Sequence, residues 1–363
     1  MSELTIGCNF SAQHLVAIKD LVADQVLNET PNRITGVYGN VRGSANPFRS
    51  VRPSRREKAG VKSEFIASID VLKQLGLTVS ITMNSTFPHL GDRLRKNIFD
   101  NLEAVRNLVQ YVSEMHEYVD YWIITHPHVI ELFHSALNFK PKIVLSTIMN
   151  VYYLSQVNWI QKNWPLVAKI CPSIYRNRDL AWLSRANNII PLEVLANEFC
   201  SIGGIPCEGL YRQACYNSQS LNVRGWNPMT SCCIKSRDVD EASWISARVI
   251  LPQWLKAYQA STGVKNFKIS GRTHEAAFIR YIGNAYCTGK ATGSIRQLWG
   301  QLEATLRTSN KKKAHHDAIE KAPCIPIEQV ACYFNELHHC DLNECRLTCN
   351  TCQHIYDEIM EDT

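Results

Sequence analysis

The sequence has no apolar run approaching the roughly eighteen residues that a membrane-spanning helix needs, so no membrane partner is expected. It carries no G-x-S-x-G, no H-E-x-x-H and no G-x-x-x-x-G-K-[ST], which leaves serine-hydrolase, zincin and P-loop chemistry without support. Its first ten residues, MSELTIGCNF, lack a basic region followed by an apolar core, so no export signal is expected and a cytoplasmic location is. Charge is modest: a net +6 permits an anionic substrate without pointing to nucleic acid. What is present is a 363-residue chain, 45% hydrophobic and 20% charged. That suits one large α/β domain with an appendage, or two smaller domains.

Cysteine is the residue in excess, with fourteen in the chain. A disulfide scaffold is not expected without an export signal and with a core this large. Reduced, clustered thiols more often hold metal. One cluster follows an apolar run, Leu192 to Leu195, which reads as a buried strand. Asn197 and Glu198 follow, then Cys200, Cys207 and Cys215 on a stretch containing Gly203, Gly204, Pro206 and Gly209. Glycine permits the backbone angles that wrapping a metal or iron–sulfur cluster requires. Cys232 and Cys233 come later, and adjacent cysteines rarely both bind one metal, so one of that pair is the economical fourth ligand. The second group is Cys340, Cys345, Cys349 and Cys352, spaced x4, x3 and x2. Four thiolates so close need a cation to offset their repulsion. The compact ladder is nearer iron–sulfur spacing than the separated pairs of structural zinc, with zinc as the alternative there.

In order along the chain, strand-like and helix-like segments alternate. Strands are expected at Leu4–Cys8, Ile34–Tyr38, Leu77–Met83, Tyr121–Thr125, Ile143–Thr147, Val167–Ile170, Leu192–Leu195 and Phe267–Ser270. Helices fall between them: one capped by Ser11, one closed by Gly76, then Leu102–Val119, Val129–Leu137, Tyr153–Trp164, Leu180–Ala186, Leu251–Ala260 and Glu275–Cys287. Such alternation calls for a parallel sheet, and eight repeats favour a closed (β/α)8 TIM-like barrel. Composition changes after about Thr292, and Lys311 to Lys313 make a basic linker. The expected division is a barrel over 1–308 and a cysteine-rich C-terminal extension over 309–363.

In such barrels chemistry sits at the C-terminal ends of the strands. The polar residues expected there include Asn84, His126, Asn150, Tyr152, Glu198 and Arg272. The segment from Arg42 to Lys62 follows the second strand and contains Arg42, Arg49 and Arg52 among other cations. Guanidinium forks bind carboxylate or phosphate, so this segment suggests an anionic substrate or an RNA backbone. His126-Pro127-His128 is too short a signal to assign to metal.

These residues together resemble the U-32 "collagenase-like" peptidase family, marked by a strand E-V-F-x-x-G followed by C-x6-C. Here Glu193-Val194-Leu195 leads through Phe199 to Cys200 and Cys207, with Gly209 close behind. Leu145-Ser146-Thr147 with Asn150-Val151 is similar to the family's L-S-T-Q-x-N-V. Val79 to Asn84 is similar to its V-T-x-N, and Lys268-Ile269-Ser270-Gly271-Arg272 to its K-I-E-G-R, with serine for glutamate. The resemblance spans about Leu4 to Cys287. It implies a TIM-like barrel with a cysteine-ligated [4Fe–4S] cluster, in a family that includes oxygen-independent hydroxylases of transfer RNA, ribosomal RNA and a ubiquinone precursor. Prephenate is implicated there as oxygen source. It also implies Cys200 and Cys207 as ligands and Asn84 and Arg272 as site residues. The sequence departs from the family after Cys207, and Ser246 stands near where a distal cysteine is expected. Cys215, Cys232 and Cys233 are the local substitutes, and the Cys340–Cys352 ladder, outside the family pattern, is a candidate second cluster.

The leading expectation is an iron–sulfur oxidoreductase that hydroxylates or otherwise modifies a small anionic substrate without dioxygen. Asn84, Glu198 and Arg272 are its candidate catalytic residues, and Arg42, Arg49, Arg52, His126, Asn150 and Tyr152 its candidate substrate contacts. An electron donor or a second barrel subunit would be its partner. With no evident RNA-binding module, RNA ranks behind a small molecule as substrate. A peptidase and a non-catalytic partner in a heterodimer are the alternatives.

Overall fold

The computed structural model describes residues 1–40, 60–83, 102–199, 240–272, 274–299, 324–338 and 348–361. Eight strands run through them: β1 (Ser2–Gly7), β2 (Asn32–Gly39), β3 (Thr78–Met83), β4 (Tyr121–Ile124), β5 (Ile143–Leu145), β6 (Val167–Ile170), β7 (Glu193–Leu195) and β8 (Asn266–Ile269). All pair in parallel, in the order β6-β5-β4-β3-β2-β1-β8-β7, and β1 joins both β2 and β8. The ends of this ribbon meet at a single parallel bridge, Ile170 to Leu192. The result is a (β/α)8 barrel, as the alternation predicts.

Helices α1 (Ala12–Leu27), α2 (Gly60–Gln74), α3 (Leu102–Met115), α4 (Pro127–Ala136), α5 (Leu154–Asn163) and α6 (Leu180–Asn187) separate the first seven strands. A short α7 (Ser243–Ser246) and α8 (Leu255–Thr262) precede β8, and α9 (Ala276–Thr288) follows it. Local chemistry sets the ends. Ser11 caps α1, its hydroxyl accepting from the His14 amide at 3.4 Å. Gly76 turns the chain out of α2 at φ 74°, a left-handed conformation that a side chain would strain.

Several boundaries differ from the sequence reading, three of them for a local reason. β5 stops at Leu145 because Ser146 caps a 3-10 turn, Thr147–Met149, instead of continuing the ladder. α3 ends at Met115, whose carbonyl collects the amides of both Tyr118 and Val119 in a closing turn. Pro252 opens a 3-10 turn, so α8 proper begins only at Leu255.

Side chains alternate in and out along each strand. The outward set, including Leu4, Ile6, Val37, Val79, Ile81, Trp122, Ile124, Val194, Phe267 and Ile269, packs under the helices in one continuous core. Trp122 and Phe133 meet edge to face there at 6.3 Å.

The C-terminal part beyond residue 323 contributes α10 (Ile327–Ala331), α11 (Phe334–Leu337) and α12 (Thr351–Glu361). Ile325, Ile327, Val330, Leu337, Cys352, Ile355 and Ile359 join the barrel's core. Pro326 bridges Ser294, and the Trp254 indole donates to the Ala331 carbonyl at 2.9 Å. The expected boundary near 308/309 lies outside the described residues. Among the described residues no helix is long and apolar enough to cross a membrane.

Candidate functional site

Many inward positions are polar where a filled barrel would be apolar, although Ile123, Val144 and Leu195 are not. From β1 comes Thr5, from β2 Tyr38, from β6 Lys169 and then Cys171, from β7 Glu193, and from β8 Asn266, Lys268 and, past its end, Arg272. The Thr5 hydroxyl donates to Glu193 Oε1 at 3.0 Å. Lys268 Nζ sits 3.6 Å from Glu193 Oε2, with both side chains almost fully enclosed. That ammonium also lies over the Tyr38 ring, 4.1 Å from its centre. Lower down, Lys169 donates to Asn266 Oδ1 at 2.9 Å and covers the Tyr121 ring.

Arg272 stands above this network, at the C-terminal end of the barrel. Its guanidinium is 6.0 Å from the Tyr38 ring centre and reaches Thr82 Oγ1 at 3.5 Å. Thr82 in turn donates to the Gly39 carbonyl at 3.1 Å and contacts Asn40. Among the described residues no carboxylate pairs with Arg272. A missing side chain places it: a Cβ on Gly7 would lie 2.5 Å from the Arg272 backbone nitrogen, so only glycine lets β1 and the end of β8 approach this closely. His14 locks the same corner, its Nδ1 facing the Asn9 amide at 3.3 Å and its Nε2 the His274 carbonyl at 2.8 Å.

The electrostatics follow from enclosure. Burial pushes the Tyr38 phenol well above its ordinary range; Arg272 opposes this, while Glu198 and Glu193 add to it. Tyr38 is therefore a neutral donor at physiological pH. Burial likewise pushes the Cys171 thiol up to about 12, with Lys268 pulling the other way.

The expected site residues divide. Arg272 and Glu198 share the mouth: Glu198 is 4% exposed and acts electrostatically on Tyr38. Tyr152 lies at the rim beside Cys171 and Leu195, and its ring stacks on the Arg176 guanidinium at 3.8 Å. Arg176 is already committed to Asp179 at 2.5 Å and to the Tyr152 carbonyl at 2.9 Å. Asn150 takes the left-handed position that ends the 3-10 turn after β5, at φ 55°. His126 precedes α4 with its ring 5.1 Å from that of His128, and burial together with that neighbour lowers its pKa. Asn84, Arg42, Arg49, Arg52, Cys200, Cys207, Cys215, Cys232, Cys233, Cys340 and Cys345 lie outside the described residues.

The described residues on either side of the central cysteine segment are nevertheless fixed at β7. Phe199, which precedes Cys200, packs against Trp244 at 5.9 Å and Trp299 at 6.0 Å. The Ile250 amide donates to the Ala196 carbonyl at 2.8 Å. Asn177 bridges the Leu195 and Arg248 carbonyls, and the fully buried Arg178 donates to those of Ile245 and Ala247. Ser246 is buried, its hydroxyl donating to the Ser243 carbonyl at 3.2 Å. Cys349 and Cys352 adjoin this corner. α12 packs on α7, and the Cys349 thiol is drawn toward thiolate by hydrogen bonds from Thr351, helped by the Arg248 charge. A thiolate-favouring environment suits a metal ligand. Among the described residues, however, no three of His, Cys, Asp and Glu converge, so these residues alone do not make a metal centre.

Sequence reasoning missed Tyr38, Thr82 and Cys171 as mouth residues, and took Glu193 and Lys268 only as letters of a motif. The available signal was period two: Lys268, Ser270 and Arg272 share one face of β8 and its extension.

No family model matches the chain, and no curated protein does. Among solved structures it is similar to the U32 peptidase Mk0906, with a TM-score of 0.42 and 15% identity over 61% of this chain and 78% of that one. It is also similar to the GH113 β-mannanase AaManA from Alicyclobacillus acidocaldarius (TM-score 0.33, 12% identity, 61% of this chain and 82% of that one). An α-amylase from Lactobacillus plantarum gives 0.33 and 12%, over 54% and 61% respectively. Likenesses at this level carry no functional argument; the barrel rests on the strand pairing itself.

Proposed function

We propose that the chain is an oxidoreductase of U32 type that binds a small anionic substrate at the barrel mouth and modifies it without dioxygen. The observation that carries the reading is Arg272: a cation on the catalytic rim of the barrel, held by Gly7 and Tyr38 and matched by no carboxylate among the described residues. A guanidinium so placed offers a fork to a carboxylate or phosphate. Glu198, which acts on Tyr38 from the same mouth, is the candidate proton acceptor, and neutral Tyr38 the candidate donor.

Cys200 and Cys207, with Cys215 and one of Cys232 and Cys233, would hold a [4Fe–4S] cluster. Its support is the sequence resemblance together with the anchoring of Phe199 and of residues 244–250 at β7. Cys349 and Cys352 belong to the candidate second metal site, iron–sulfur or zinc. Such a cluster supplies Lewis acidity or one-electron transfer. The chain's own residues bind the anion through Arg272, exclude water through the Phe199–Trp244–Trp299 wall, and hold protons at Glu198 and Tyr38.

The test is iron and sulfide analysis with EPR on anaerobically purified full-length protein, wild type against Cys200→Ser and Cys207→Ser. Stoichiometric iron and sulfide lost in both variants supports the reading. Negligible iron in the wild type overturns the redox assignment, and gelatin or peptide cleavage that survives Cys200→Ser would turn it into a hydrolase.

A further inference from the structure

Beneath Arg272 lies a second set of uncommitted donors. Lys268 Nζ makes no hydrogen bond among the described residues: Glu193 Oε2, at 3.6 Å, balances its charge but sits beyond hydrogen-bond reach. The Tyr38 hydroxyl likewise has no hydrogen-bond partner among the described residues, while its ring lies under both cations, 4.1 Å from Lys268 Nζ and 6.0 Å from Arg272 Cζ. Thr82 is already donating to the Gly39 carbonyl. The wall made by β2 and β8 is thus rich in donors, with Glu193 Oε2 of β7 as a free acceptor behind Lys268. Ammonium and guanidinium groups can only donate.

Charge narrows the ligand further. Glu193 matches Lys268, so the inner position supplies donors without net charge. Arg272 has no carboxylate partner among the described residues, while the Glu198 carboxylate acts on Tyr38 from the same mouth. That carboxylate disfavours a ligand carrying a second negative charge.

We propose that this wall is a two-point subsite for a small monocarboxylate bearing a carbonyl group, with the carboxylate on Arg272 and the carbonyl oxygen on Lys268 Nζ and Tyr38. Both cations lie within 6.0 Å of a single ring centre, which keeps the two acceptor groups within the span of one small molecule; a 2-oxo acid is the simplest that carries both. Lys268 and Tyr38 are then substrate-contacting residues that select for the carbonyl. This deepens the reading of the mouth as an anion site but does not depend on the cluster.

The experiment is calorimetric or saturation-transfer NMR titration of full-length protein with pyruvate, acetate and succinate, at measured iron content and again after chelation. Pyruvate should bind tighter than acetate by roughly tenfold, the range of one hydrogen bond to a charged group, and succinate no tighter than acetate. Arg272→Leu should weaken all three. Removing the inner pair together, Lys268→Met with Glu193→Gln, leaves no lone buried charge and should erase the preference for pyruvate while retaining acetate binding. Tyr38→Phe, which keeps the ring, should erase part of it. Equal binding of pyruvate and acetate to the wild type, no binding of either, tighter binding of succinate, or a preference surviving the double variant overturns the proposal. Pyruvate selectivity in iron-free protein upholds it even where the redox assignment fails.

Discussion

The two faces of the same eight strands follow opposite rules. Outside, beneath the helices, side chains are apolar and continuous, and the stability of the fold comes from them. Inside, Lys169, Glu193, Lys268, Tyr38 and Thr5 occupy positions that branched aliphatics commonly fill in barrels of this kind. The contrast teaches that stability and function are separated by strand alternation: one residue step along β8, from Phe267 to Lys268, crosses from one to the other.

The sharpest way to break the contrast is to cut the outer face. Phe133→Ala removes a fully buried ring packed on Trp122, and should cost about 3–5 kcal/mol in denaturant unfolding. Inside, Lys268→Met alone leaves Glu193 enclosed and unpaired, and should cost about 3 kcal/mol. The double variant with Glu193→Gln should recover most of that loss. If it recovers none, the interior pair is structural in the same sense as the shell, and the separation fails. Arg272→Leu should shift stability by less than about 1 kcal/mol, since Arg272 has no ion pair among the described residues to lose, while anion binding drops steeply.

The mildest effect is the pH response. Cys171 and Cys287 are both held neutral by burial, up to about 12, well above the ordinary thiol range. The unfolded chain releases these protons earlier, so their contribution is complete below about pH 8.5 and erodes as pH rises toward 12. Cys171→Ala and Cys287→Ala should each flatten part of that alkaline decline in a pH series of unfolding midpoints. In native protein at neutral pH, Cys349 should react with a thiol reagent well before Cys171.

Much of the barrel was legible because its punctuation is local: Ser11 begins a helix and Gly76 ends one through rules that act within a turn. Strand ends were misjudged where a short-range competitor won, as when Ser146 captured the chain for a 3-10 turn. Arg272 was legible as a residue at the end of a strand. Its pocket was not, because Glu193 meets Lys268 only when β7 pairs with β8, and β1 must pass close to β8 at Gly7. An inward lysine in a short strand also looks like a surface lysine until the sheet closes.

That closure is uneven. β1 pairs with β8 along four residues, although most of the chain separates them, whereas β6 and β7, near neighbours in sequence, share only the Ile170–Leu192 bridge. The barrel therefore has a built-in zip line beside the strand from which the cysteine segment departs. Amide hydrogens of Ile170 and Leu192 should exchange before those of β1. Any breathing of the cylinder starts there, so the β6–β7 wall loosens while the Arg272 side stays shut.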